Sequence, residues 1–303
     1  MSVIKWVQGV GATYVPVLML AVVPALGQSS SAHAQPAAPK PAEQAKPARP
    51  AKPRPTRKVK QPALELAPHV AALAGVDVEA AAKAADALGS SDLPAAHDAL
   101  LDALALGMPK TVAVPAIAAL ARHPAPSDVP ALTRYAGHHD QGVRSAALTA
   151  LALYPDPTAR AAVIGGLHDP APAVRAASAT AAGRGRIRDA VEPMFKLMAR
   201  GEESAALGLA AMADADLAAK LADQLGKVPD PTLAVALGAI LKRSDFGPDP
   251  ARVEIVRAIA KIQDAAAVGV LTDYLDSSPK TPPRPSRQEA QAVVEARLGG
   301  GKQ

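Results

Sequence analysis

The sequence predicts an all-α protein, a right-handed α-α superhelix of about six or seven helical hairpins stacked as a solenoid. Three observations predict it. A near-copy recurs at a step of 31 residues: Val143-Arg144-Ser-Ala-Ala-Leu-Thr-Ala-Leu151 returns as Val174-Arg175-Ala-Ala-Ser-Ala-Thr-Ala-Ala182, and Val112 to Leu120 foreshadows both. The helix breakers keep the same step, Pro124-Ala-Pro126 becoming Pro155-Asp-Pro157. Ala and Leu dominate a chain with 2% aromatic residues, no Cys and no Asn. Such a composition favours helix and lets helices approach closely.

Residues 1–34 read as a signal peptide. Lys5 supplies a weak positive start, Val15 to Leu26 an apolar core, and Ser31-Ala-His-Ala34 the small residues of a cleavage site after Ala34. This implies an exported protein, periplasmic or extracellular. The alternative is an uncleaved N-terminal membrane anchor, because the apolar stretch from Gly9 to Gly27 approaches spanning length. Residues 35–62 form a basic Pro/Ala/Lys linker with eight Lys or Arg against Glu43 alone, a net charge of +7. Such a segment cannot bury an apolar core and is expected to be disordered.

The linker distorts the charge of the whole chain. The formal net charge is +5, yet residues 61–278 carry 19 basic and 25 acidic residues, a net −6. An acidic body with few aromatics argues against nucleic acid as a partner, which calls for a basic face with stacking rings.

The array is expected to span residues 63–278. Its best unit has a first helix from about Gly142 to Leu153, where Val143, Ala147, Leu148 and Leu151 share one face. Tyr154-Pro-Asp-Pro157 stops it, and proline suits the first turn of the second helix, about Thr158 to Leu167. Leu132, Val163 and Met194 mark the same core position of successive second helices. Upstream, Ala80–Leu88 and Leu93–Leu106 pair, with Asp92 as an N-cap; downstream the units decay through Ser204–Met212, Leu233–Leu241 and Val253–Ile262. Residues 279–303 read as a Pro-rich linker, a short helix from Gln288 to Leu298, and a flexible tail.

Asp169-Pro-Ala-Pro-Ala-Val-Arg175 and Val143-Arg144-Ser-Ala-Ala-Leu resemble the start of HEAT-like repeats of the short type found in phycobilin lyases. Asp128-Val-Pro-Ala-Leu132 and Val191-Glu-Pro-Met194 resemble the matching second helix. The likeness is clearest over 112–200, weaker across 64–276, and speaks for architecture more than for function. It implies that Arg144 and Arg175 belong to an internal ladder with acids such as Asp169, a ladder left incomplete because His138 stands one unit before Asp169.

Arg184, Arg186 and Arg188 form a cationic cluster at one inter-helix turn, where arginine forks suit carboxylate or phosphate oxygens or a protein partner. Pairing with neighbouring Asp189 and Glu192 is the competing expectation. The pairs His97-Asp98, His139-Asp140 and His168-Asp169 fall at different points of the repeat, so they cannot converge on one metal. No catalytic motif and no cofactor signature is legible. The reading is a non-catalytic exported scaffold that binds a protein in the cell envelope through a curved surface of second helices. An alternative is a binder of anionic envelope material, cell-wall polymer or a membrane surface, through residues 35–62 and the arginine cluster. A bilin-lyase-like enzyme is the minor alternative.

Overall fold

The computed structural model describes residues 65–299. The expected signal peptide with its cleavage site, the linker 35–62 and the last residues of the tail lie outside them.

Among the described residues there are fifteen α-helices, two single 3-10 turns and no strand. The first eight helices are α1 (Leu66–Leu73), α2 (Val78–Gly89), α3 (Pro94–Leu106), α4 (Lys110–Leu120), α5 (Val129–Ala136), α6 (Gln141–Leu151), α7 (Pro157–Gly166) and α8 (Pro172–Arg184). Then follow α9 (Val191–Ala199), α10 (Glu203–Met212), α11 (Ala215–Ala222), α12 (Asp230–Lys242), α13 (Asp249–Lys261), α14 (Ala266–Ser277) and α15 (Pro285–Gly299). They make an all-α repeat superhelix of antiparallel hairpins.

Local chemistry sets the helix ends. Asp77, Asp140, Asp156 and Asp214 cap α2, α6, α7 and α11 by accepting from backbone N–H groups of the first turn. Pro94, Pro157, Pro172 and Pro285 open helices, where the missing N–H costs nothing. Asp92 does not cap α3; Leu93 holds that position without a side-chain bond. Pro115 lies inside α4, and packing on both sides carries the helix through it.

The repeat residues form the core. Val143, Ala147, Leu148 and Leu151 are all buried, as are Leu132, Val163 and Met194. Even-numbered helices form one layer in which each packs on the next from α2 to α14, while odd-numbered neighbours touch only locally until α13 meets α15. Small residues permit the tight layer. A Cβ on Gly183 would lie 2.6 Å from the Gly208 carbonyl oxygen across the α8–α10 contact, and a Cβ on Gly238 would lie 2.7 Å from Val270 Cβ across α12–α14. This tight layer of even-numbered helices carries the Val-Arg motif and is termed the inner layer; the second helices form the more open, outer layer.

Arginines finish many helix ends. Arg134 donates to the carbonyls of Leu104 (2.7 Å) and Ala105 at the end of α3, and Arg243 donates to Ala210 and Ala213 (both 2.7 Å) at the end of α10. Arg297 does the same for Ala260 (2.8 Å) and Ile262 (2.6 Å) after α13. Cations suit these sites because helix C-termini leave carbonyls unpaired at the negative end of the dipole.

At the C-terminal end the structure corrects the expected boundary. The helix of 285–299 packs on α13 and α14 and completes the last unit. Its Ser286 N–H and hydroxyl both donate to Asp249 (2.9 and 2.6 Å), and Tyr274 shares a 2.7 Å bond with the same hydroxyl. At the other end α1, not expected from the sequence, packs on α2.

Candidate functional site: an apolar groove on the inner layer

The inner-layer helices turn their Val-Arg residues toward the loops. Arg144 forms a two-point pair with Asp169, Nε to Oδ2 at 2.7 Å and Nη2 to Oδ1 at 2.8 Å, and its Nη1 donates to the carbonyls of His138 and His139. Arg175 repeats this one unit on, with Nε to Glu202 at 2.8 Å and Nη1 to the carbonyls of Asp169 and Pro170. Both pairs are mostly buried. Each arginine pairs one unit onward: the carboxylate of Asp169 answers Arg144, and Arg175 takes Glu202. The Arg144 guanidinium beside Asp169 holds that carboxyl below the usual carboxylate range, and Asp169 in turn raises Arg144. Glu202 was legible in principle, because it falls 31 residues after the N-cap of α8, Ala171, and 62 after Asp140.

The 184–188 cluster does not converge on one point. Arg186 pairs with Asp245 at 3.0 Å and Arg188 with Asp214 at 2.7 Å, acids from later units rather than the neighbours Asp189 and Glu192. Arg184 is exposed and has no ionic partner among the described residues.

Each aspartate of the His-Asp dipeptides 139–140 and 168–169 has a structural role. Asp140 caps α6, accepting from Gly142 N at 2.9 Å, and Asp169 accepts from Ala171 N at 2.8 Å. His97 turns away from Asp98 and donates from Nε2 to Asp128, 31 residues later, at 2.7 Å. Asp128 is fully buried and also accepts from the Tyr154 hydroxyl (2.7 Å) and Ala125 N (2.9 Å), so one carboxylate ties three successive units. Burial, first, and Asp128 push the Tyr154 phenol up. Among the described residues no group of three or more His, Asp or Glu is placed to hold a metal ion.

An apolar groove of 370 Å³ opens across α4, α6 and α8. Its floor is Ala118, Ala146, Thr149, Ala150 and Ala181; Val114 and Leu153 form its apolar edges, and Arg184 its one charge. Val114 is 37% and Leu153 54% exposed, large for residues lining an apolar surface. Leu207 on α10, three 31-residue steps after Val114, is likewise 43% exposed.

Residues 98–183, the span that holds this groove and most of the Arg144–Asp169 ladder, match a family model described as HEAT repeats. Over these residues the array is built of HEAT-like repeats. Among solved structures, the chain is similar to the complex of CpcE and CpcF of phycocyanin lyase from Nostoc sp. PCC7120, with 21% identity, 81% of this chain and 98% of that chain covered, and a TM-score of 0.41. It is also similar to two engineered proteins, at 22% identity with coverages of 76% and 67% and a TM-score of 0.37, and at 21% identity with coverages of 78% and 97% and a TM-score of 0.32. No curated protein matches the chain. In the HEAT-like array, Val-Arg residues and buried Asp128 hold units together, while Val114 and Leu153 stay exposed beside the α4–α6–α8 groove. No helix among the described residues is long and apolar enough to cross a membrane.

Proposed function

We propose that the protein is a non-catalytic HEAT-like scaffold, exported to the cell envelope, that docks a segment of a partner protein in the groove across α4, α6 and α8. The observation that supports this reading is the exposed apolar edge of Val114 and Leu153 over a floor of small side chains, with Arg184 unpaired at its end. A floor of alanines admits a helix or extended strand closely, two aliphatic edges grip its apolar side chains, and the guanidinium takes a carboxylate. Arg144, Arg175 and their acids are already used within the fold, so binding here rests mainly on shape and apolar area. Envelope localisation rests on the signal peptide expected from residues 1–34.

A photo-crosslinking amino acid at Leu153, expressed in cells, tests the docking surface against the same probe at exposed Arg160 on the outer layer. One distinct adduct from Leu153 that disappears in Val114→Asp, with unchanged thermal unfolding, supports the groove. Adducts that are absent at Leu153 or identical at both sites overturn it. Fractionation of the same cells locates the protein, and recovery from the cytoplasm alone overturns the export reading.

A further inference from the structure

We infer that the polar pocket between the α12–α13 loop, the end of α14 and the start of α15 is a binding site for a phosphate-type oxyanion. The pocket holds 310 Å³ and lies far along the chain from the docking groove, so it does not depend on that reading. Four cationic side chains line it: Lys242, Arg243, Arg252 and Arg284.

Arg252 is the distinctive member. It is only 6% exposed, yet its guanidinium meets no carboxylate: it donates to the carbonyls of Leu241 at 2.5 Å, Arg243 at 2.7 Å and Phe246 at 2.8 Å and lies 5.7 Å from the Phe246 ring centroid. The carbonyls at this helix end and the ring face offset part of the charge, but neither is the full counter-charge that a buried charge ordinarily has. Arg144 and Arg175, half as deeply placed in the ladder, each have a carboxylate. Arg252 has none among the described residues, and neither has half-buried Arg284, which makes no side-chain bond within the fold. Lys242 pairs with Asp273 at 2.6 Å and Arg243 with Asp245 at 2.8 Å. Two positive charges in the wall therefore stand without a carboxylate.

Nearby acids do not supply it. Asp249 is engaged by Ser286, and exposed Asp276 does not line the pocket. The carbonyls at the ends of α12 and α14, which would repel an anion, are already taken by Arg252 and Arg287. Arg252 uses both Nη atoms as a staple on α12 and keeps further N–H donors for a ligand. Ser244, Ser277 and Ser278 add hydroxyls to the lining. Arginine forks with hydroxyl donors on several sides suit a tetrahedral oxyanion with several acceptor oxygens better than a flat carboxylate. The phosphate can be free or the monoester of a lipid headgroup, which share this chemistry.

Titration of the full-length protein with inorganic phosphate at constant ionic strength, followed by calorimetry and thermal unfolding, tests the site. Saturable one-site binding and a raised Tm are expected, with sulfate competing and chloride inert. Arg284→Ala, at a position that supports no fold contact, is expected to weaken binding tenfold or more without changing the Tm of the phosphate-free protein. Co-sedimentation with vesicles containing phosphatidic acid distinguishes the sources: retention that is lost in Arg284→Ala assigns a lipid phosphate, and phosphate binding without such retention assigns the free ion. Absence of saturable binding to either probe, up to about 10 mM phosphate, overturns the inference. So does binding that Arg284→Ala leaves unchanged.

Discussion

Arg144 in α6 grips Asp169 through two parallel bonds of 2.7 and 2.8 Å, 25 residues further along the chain, and so joins the turn of one unit to the turn of the next. Both side chains are mostly buried, and removing either partner strands the other. Arg144→Ala and Asp169→Ala are each expected to lower unfolding free energy by about 2 kcal/mol. Arg144→Lys keeps the charge and loses the fork, so it recovers little. Urea denaturation of the three variants checks this, with the double variant expected to lose less than the sum.

Asp128 is expected to be costlier. Its replacement by Ala leaves the Tyr154 hydroxyl and Ala125 N–H unpaired in the core, with His97 short of its acceptor. A loss of about 3 kcal/mol or more follows, and Asp128→Asn, which keeps an acceptor oxygen, loses less. Equilibrium unfolding ranks the two.

Ser178 points the other way. It is fully buried on α8, and its hydroxyl has no hydrogen-bond partner. The position one repeat earlier is Ala147. Ser178→Ala removes an unpaired buried polar group and is expected to stabilise by about 1 kcal/mol. A Tm that rises in calorimetry confirms it, and one that falls refutes it.

Acid is expected to loosen the array. The Arg243 fork, first, and then Arg186 hold Asp245 down at about 2 from an ordinary 3.8. Asp140, Asp169 and Asp214 are lowered too, by the Val143 N–H, the Arg144 fork and the Leu217 N–H respectively. A carboxyl depressed in the folded state adds stability in full above its unfolded value and loses it as pH falls through its folded value. Tm is therefore expected to be flat above about pH 5 and to drop between about 4 and 2. Asp245→Asn flattens the lowest part of that fall. A Tm that holds steady to the bottom of this range contradicts the assignment.

Much of the fold was legible because one step governs it. Val143, Ala147, Leu148 and Leu151 occupy one helical face at a fixed register, and all four are buried. Proline at Pro157 marked a helix start correctly. Other features were hidden for physical reasons. The Pro-rich run before α15 has a linker's composition, and the docking of the helix shows in long-range contacts such as the Asp249–Ser286 bonds across 37 residues. Arg186 and Arg188 reach acids 59 and 26 residues away, a choice made by the spacing of units rather than by local pattern. Which layer packs more tightly was equally hidden, since both helices of a hairpin carry apolar faces of the same period. The groove of Val114 and Leu153 was missed with it.

The arginines that cover helix ends all reach back along the chain. Leu104 waits for Arg134, Ala213 for Arg243 and Ile262 for Arg297, separations of 30, 30 and 35 residues. A chain emerging from the ribosome therefore exposes each such end until another repeat's length has been made. Completion runs one unit behind synthesis, and the last helix, α15, closes the molecule.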